Sequence, residues 1–157
     1  MGNKIDLLRA NFEVANLDGA RFKGANLAGA NFKDAKLLGS NFEGANLANA
    51  SFEGVGVWKA YFEGANFEGA NLKNTSLRDS DLTGVDFRIS RNFGEAKFEN
   101  NYITSSDDGD KGFMPQAPKG FKFEMLKDKR KQLGLDEYKL EEDTLIYPIR
   151  LITTNKH

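Results

Sequence analysis

The stretch Ala15-Asn16-Leu17-Asp18-Gly19-Ala20-Arg21-Phe22-Lys23-Gly24-Ala25-Asn26-Leu27 carries the pattern that decides the fold. A large apolar residue stands at every fifth position, a small one two places before it, and glycine often two places after it. Followed outward, the series is unbroken through Leu7, Phe12, Leu17, Phe22, Leu27, Phe32, Leu37, Phe42, Leu47, Phe52, Val57, Phe62, Phe67, Leu72, Leu77, Leu82 and Phe87. The next spacing is six, and the series resumes at Phe93, Phe98 and Ile103.

A period of five suits neither regular element. On a helix each step of five advances about 500°, so the apolar set would spiral around every side. On a flat strand, residues five apart point to opposite faces. Glycine after so many centres also opposes a helix, at roughly 1 kcal/mol each. The pattern fits a chain that turns a corner every five residues, with the large and small residues inward and the others facing water. Gly19, Gly24, Gly39, Gly44, Gly54, Gly64 and Gly69 then sit where a corner calls for positive φ.

Ala15-Asn16-Leu17-Asp18-Gly19 and Ala65-Asn66-Phe67-Glu68-Gly69 resemble the repeat unit of the pentapeptide repeat family, and the resemblance covers about residues 5–104. It implies an all-β fold, a right-handed quadrilateral β-helix with four pentapeptides per coil. About five coils make a rod roughly 24 Å long at the spacing of neighbouring strands. Residues twenty apart then stack, and Leu27, Phe32, Leu37, Phe42, Leu47, Phe52, Val57, Phe62, Phe67 and Leu72 form the core ladder. No single coil buries enough to hold itself, so stability comes from stacking. The six-residue spacing reads as a bulge near Ile89 and Ser90.

Three parts follow from composition: a solenoid over 1–104, a loop or linker over 105–121, and a C-terminal capping or dimerisation tail over 122–157. The acidic stretch after Thr104 lacks the glycine and terminal glutamate of a calcium loop, and Pro115 and Pro118 continue the irregular run. Lys122–Leu133 is expected as a short helix stopped by Gly134. A further turn is expected at Asp136, with Leu135 and Leu140 as a hydrophobic staple. Leu145–Ile152 reads as a strand that Pro148 confines to an edge. The tail is expected to act as a lid on the last coil, near Phe93 and Phe98. At the other end, either the few residues before Ile5 suffice or the first coil meets another copy of the chain.

Composition narrows function. The chain has 157 residues, with 22 Lys plus Arg against 23 Asp plus Glu, so no strong field draws it to nucleic acid or an anionic membrane. It has no cysteine, and its single histidine is His157, which excludes thiol chemistry, thiolate metal sites and most nucleophile–base pairs. No apolar run approaches the roughly 18 residues of a membrane span. The first residues hold no export-like stretch, so a cytoplasmic location is expected. No cofactor and no catalytic residue are expected.

The family resemblance implies one sharp activity, mimicry of DNA to bind or protect gyrase. Mimicry needs a continuous negative field, whereas residues 1–104 hold 12 basic and 13 acidic side chains, mixed on each side. The favoured reading is a non-catalytic protein-interaction or scaffold module with an unidentified protein partner. Its support is a local departure from the repeat in Val55-Gly56-Val57-Trp58-Lys59-Ala60-Tyr61-Phe62. Val57 and Phe62 take the inward places, so Trp58 and Tyr61 face outward, with Leu38 one coil below Trp58. These three form the candidate interaction patch. Homodimerisation through the tail or an open coil end is a second expectation. The outward row Asp6, Asn26, Asn46, Asn66 and Asp86 reads as structural, its amides bonding to each other or to the corners.

Overall fold

A two-residue turn followed by one extended step recurs along the repeat, and residues twenty positions apart become backbone neighbours. The computed structural model describes residues 4–105, 114–126 and 145–154. Four ladders of parallel bridges result. The first runs Asp6, Asn26, Asn46, Asn66, Asp86 and Gln116, and the second Asn11, Asn31, Ser51, Asn71 and Arg91. The third runs Asn16, Lys36, Gly56, Ser76 and Lys97, and the fourth Arg21, Asn41, Tyr61, Asp81 and Tyr102. In the third, pairing widens into β1 (Gly56–Trp58), β2 (Ser76–Arg78) and β3 (Lys97–Glu99).

The corners explain why five residues suffice. At most of them the small residue's N–H closes the turn on the carbonyl of the preceding centre, as from Ala15 to Phe12 at 3.0 Å. The residue before the small one has positive φ at each corner from Arg9 to Gly84. Positive φ at the third turn residue alone is the signature of a type II turn, which favours glycine there. Glycine is nevertheless not obligatory: Val14 (φ 62°), Asp34 (φ 56°) and Lys59 (φ 55°) hold the same conformation.

Between the corners, the residue before each centre spends both backbone groups on the previous coil. Asn26, for example, donates to Ile5 at 2.9 Å and accepts from Leu7 at 2.8 Å. The centres stack inside, and the ten residues of the expected ladder are all buried. On the fourth side Phe22, Phe42 and Phe62 stack ring on ring, at 5.1 Å for each step.

The extra residue lies further along than the sequence suggested. Ser90 still closes its turn on Phe87, at 3.0 Å, and Arg91 still bridges Asn71. The insertion is Asn92, in the left-handed conformation, followed by a 3-10 turn over Phe93–Glu95 that returns Phe93 to the core. Asparagine tolerates positive φ better than Ile89 would, because its side chain bonds locally. Here Asn92 Nδ2 reaches Asn71 Oδ1 at 2.6 Å.

Three longer strands follow: β4 (Tyr102–Ser105), β5 (Phe121–Met125) and β6 (Leu145–Thr153). They correct the reading of the tail in three places. The start of the expected 122–133 helix is strand β5, since Phe121 and Phe123 alternate with Lys122 and Glu124. Phe123 is buried, with its ring 5.3 Å from that of Phe98, while Lys122 is exposed. Residues 127–133, and the turn expected at Asp136, lie outside the described residues. Second, Gln116 is not part of a plain loop, for it extends the first ladder by accepting from Phe87 and donating to Val85, both at 2.8 Å. Third, β6 is the middle strand of the antiparallel order β4-β6-β5, not an edge. Tyr102 turns its own backbone groups to Ser80 and Leu82, so its pairing with Pro148 is of the kind without ladder hydrogen bonds. On the other flank, pairing with β5 begins only at Ile149. Pro148 therefore interrupts neither ladder.

Candidate interaction surface

In β1 the inward place goes to Val57, which leaves Gly56 and Trp58 on the outside. The register sets Trp58 beside Arg78 of β2. On its other flank, the Gly39 N–H donates to the Trp58 carbonyl at 2.9 Å, which brings Leu38 alongside. Tyr61 begins the fourth side, around the corner formed by Lys59 and Ala60. All three candidate residues are about half exposed: Leu38 44%, Trp58 47% and Tyr61 46%. Leu38 and Trp58 share one side; Tyr61 adjoins them on the next.

Trp58 is held by polar contacts. Its Nε1–H donates to Asp79 Oδ2 at 2.8 Å, and Arg78 Nε lies 3.4 Å from the same oxygen. Lys59 Nζ is 5.3 Å and the Arg78 guanidinium carbon 5.7 Å from the ring centroid, within range of cation–π attraction. Gly56, two residues before Trp58 on the same outward face of β1, adds no side chain, and a Cβ there would meet nothing within 4 Å. The arrangement is a fixed, amphipathic aromatic flanked by two cations, an aliphatic side chain and open backbone. Asp79 and Arg78 were missed in the sequence, although a spacing of 20–21 residues would have placed them beside Trp58. Leu8, Val14 and Ile89 are further exposed apolar residues at outward positions. The rule that found Leu38 and Trp58, an apolar residue off the centre, also finds these.

The fourth side carries an acidic group. Lys23 Nζ pairs with Glu43 Oε1 at 2.7 Å. Burial, then the charges of Asp81 and Glu43, push the Glu63 carboxyl up. Asp81 is buried and its carboxyl also pushed up, chiefly by burial, against the lowering effect of donors on Thr83. Burial and the Asp81 charge raise the Tyr102 phenol as well. Among the described residues no group of His, Asp and Glu is arranged to hold a metal ion. No described helix is long and apolar enough to cross a membrane.

The amide row is structural. Asn26 Nδ2 donates to Asp6 Oδ1 at 2.9 Å, Asn46 to Asn26 at 3.2 Å and Asn66 to Asn46 at 3.3 Å. Each of these acceptor oxygens also takes a backbone N–H two residues on, as from Ala48 to Asn46.

Winding by five-residue units, with parallel bridges every twenty residues, defines a β-helical repeat protein. The family model for pentapeptide repeats matches in eight copies, over residues 4–34, 25–55 and 58–88, and the chain belongs to that family. Among solved structures it is similar to a pentapeptide repeat protein, Rfr23, from the cyanobacterium Cyanothece 51142, at 28% identity and a TM-score of 0.49. That match covers 68% of this chain and 63% of the other. It is also similar to QnrB1, a plasmid-mediated fluoroquinolone resistance protein in a trypsin-treated form, at 18% identity and a TM-score of 0.56. There 62% of this chain covers 53% of the other. A pentapeptide repeat protein from the Arabidopsis thaliana thylakoid lumen is 40% identical over 52% of this chain and 57% of its own, with a TM-score of 0.39. This chain thus spans less than two thirds of each of these proteins. No curated protein matches.

Proposed function

We propose that this is a non-catalytic interaction module: a right-handed, four-sided solenoid of about five coils, closed at its C-terminal end by β4, β5 and β6, that presents Leu38, Trp58 and Tyr61 to a protein partner. The observation that carries this reading is Trp58 itself. An indole left half exposed, yet fixed by Asp79 and flanked by Lys59 and Arg78, loses little side-chain freedom on binding. Anchors of that kind dominate protein interfaces. The mixture of charges supports a protein partner over a DNA-like field: pairs such as Lys23–Glu43 and Lys73–Glu53 join opposite signs from one coil to the next.

Replacing Trp58 and Tyr61 together by alanine tests the reading. Proteins retained by the immobilised wild type are expected to be lost from the double variant at unchanged thermal stability; identical retention overturns it. Trp58 is the chain's single tryptophan, so its emission reports on this patch alone. Partner binding is expected to change that emission.

A further inference from the structure

We propose that the first coil is an association surface for a second copy of this chain, with the two copies joined end to end about a two-fold axis that sets Asp6 of one opposite Arg21 of the other. This rests on the four-sided winding proposed above and is independent of the Trp58 patch.

The backbone supplies the first reason. Asn26, Asn31, Lys36 and Asn41 each use both backbone groups toward the coil before them. Their first-coil equivalents are Asp6, Asn11, Asn16 and Arg21, and among the described residues none has a backbone partner on that side. Each presents an N–H and a C=O in the same direction, which is one half of a narrow antiparallel pair. A second copy turned through a two-fold axis reverses every strand and supplies the other half on all four sides.

Apolar surface is the second reason. Leu7, Phe12 and Leu17 are only partly buried, whereas Leu27, Phe32 and Leu37 directly above them are fully buried. Ile5, Leu8 and Val14 surround them, exposed, and Val14 reaches 71%. An unpaired sheet edge around an open apolar core invites pairing with another chain. The last coil differs, since β6 pairs with β4 and the Phe123 ring lies 5.3 Å from that of Phe98.

Pitch and charge then choose the register, and they agree. A coil advances by about one strand spacing, so the Arg21 side starts roughly three quarters of a spacing, about 3.6 Å, further in than the Asp6 side. Of the ways to superpose the sides, first on fourth and second on third makes the two ramps compensate and leaves an equal gap on all four. This register places Asp6 over Arg21 twice and Asn11 over Asn16 twice. Superposing each of two opposite sides on its own copy instead sets Asp6 on Asp6 or Arg21 on Arg21. Asp6 Oδ1 already accepts from Leu8 N and Asn26 Nδ2, while Oδ2 has no partner among the described residues. Arg21 makes no ion pair among the described residues. In a directly opposed antiparallel pair the side chains project together, close enough for the charges to meet.

Sedimentation velocity on the full chain over a concentration series tests this. Wild type is expected to pass from monomer to dimer. Arg21→Glu alone sets a second carboxylate against Asp6, and Asp6→Lys alone sets a second cation against Arg21. Each is expected to weaken the dimer about tenfold or more. An equimolar mixture of the two variants pairs opposite charges at both contacts and is expected to restore dimerisation, which a merely structural defect would not. A wild type that stays monomeric, a dimer indifferent to Arg21→Glu, or a mixture that does not associate overturns the proposal. Amide exchange separates its failure from failure of the winding. Protected amides at Asn26, Asn31, Lys36 and Asn41 beside fast exchange at Asp6, Asn11, Asn16 and Arg21 under all conditions rejects the dimer alone. Fast exchange at both sets rejects the winding as well.

Discussion

The ring of Phe62 lies 5.1 Å from that of Phe42 and only 6° from parallel with it, although twenty residues separate them in sequence. The backbone repeat accounts for that distance, because rings held in the same orientation one coil apart are separated by about one strand spacing. Phe22 extends the column below at the same 5.1 Å. Phe32 and Phe52 on the second side meet Phe42 at 86° and 71°. Around Phe42 the core is thus stacked along the second and fourth sides and edge-to-face between them, both favourable aromatic arrangements.

Phe42→Ala should therefore open a cavity with stacked neighbours above and below and no route to collapse. A loss of about 3–5 kcal/mol is expected from urea unfolding. Phe42→Leu should cost roughly 1–2 kcal/mol, because leucine already fills a centre of the same column at Leu82 and the remaining void is smaller. Equal losses for the two variants would contradict the packing.

Corner substitutions should have opposite signs. Gly54 has φ 72°, and a Cβ there would lie 2.6 Å from Asp34 Oδ1. Gly54→Ala is expected to destabilise by about 1–2 kcal/mol, the left-handed penalty plus displacement of Asp34. Val14 is an exposed β-branched residue at φ 62°. Val14→Gly should relieve strain and raise stability by about 1 kcal/mol in thermal unfolding.

Asp81 gives a pH dependence. Burial raises its carboxyl above the usual 3.8, so the folded chain keeps this proton to higher pH than the unfolded chain does. The group's contribution is therefore most favourable below the unfolded value and declines as pH rises through the window up to the folded value. Asp81→Asn keeps an oxygen for the two Thr83 donors and removes the titration. The melting temperature of the variant relative to wild type should climb across that window and then level off. A constant difference from acid to neutral pH would show that Asp81 does not titrate as its burial requires.

Much of this was legible in the sequence because the repeat encodes its own register. Once residues twenty apart are stacked, Leu27, Leu47 and Phe67 fall in one column from their spacing alone, and outward positions such as Leu38, Trp58 and Tyr61 follow by subtraction. What escaped lay where the period lapses, or in side-chain contacts that the period does not specify. Asn92, not Ile89 or Ser90, carries the insertion, because six residues can be divided at several points and only local hydrogen bonding selects one. The tail was misread at Phe121–Met125, where a five-residue apolar alternation was outweighed by charges that suit a helix dipole. Asp79 was overlooked as the partner of Trp58, since an ion pair or hydrogen bond between coils depends on side-chain rotamers that no periodicity reports.

By itself, the amino-acid order determined which residues face the axis, where the corners fall and which outward positions break the pattern, since a five-residue spacing of bulky groups is buried only by turning at each unit. Tertiary structure alone decided that β6 lies between β4 and β5, that Trp58 is fixed by Asp79 and Arg78, and that Asp81 is buried. The first depends on contacts between segments with no common period, and the other two on side-chain conformation and burial, which the period leaves open and the balance of hydrogen bonding and charge settles only once the coils are in place.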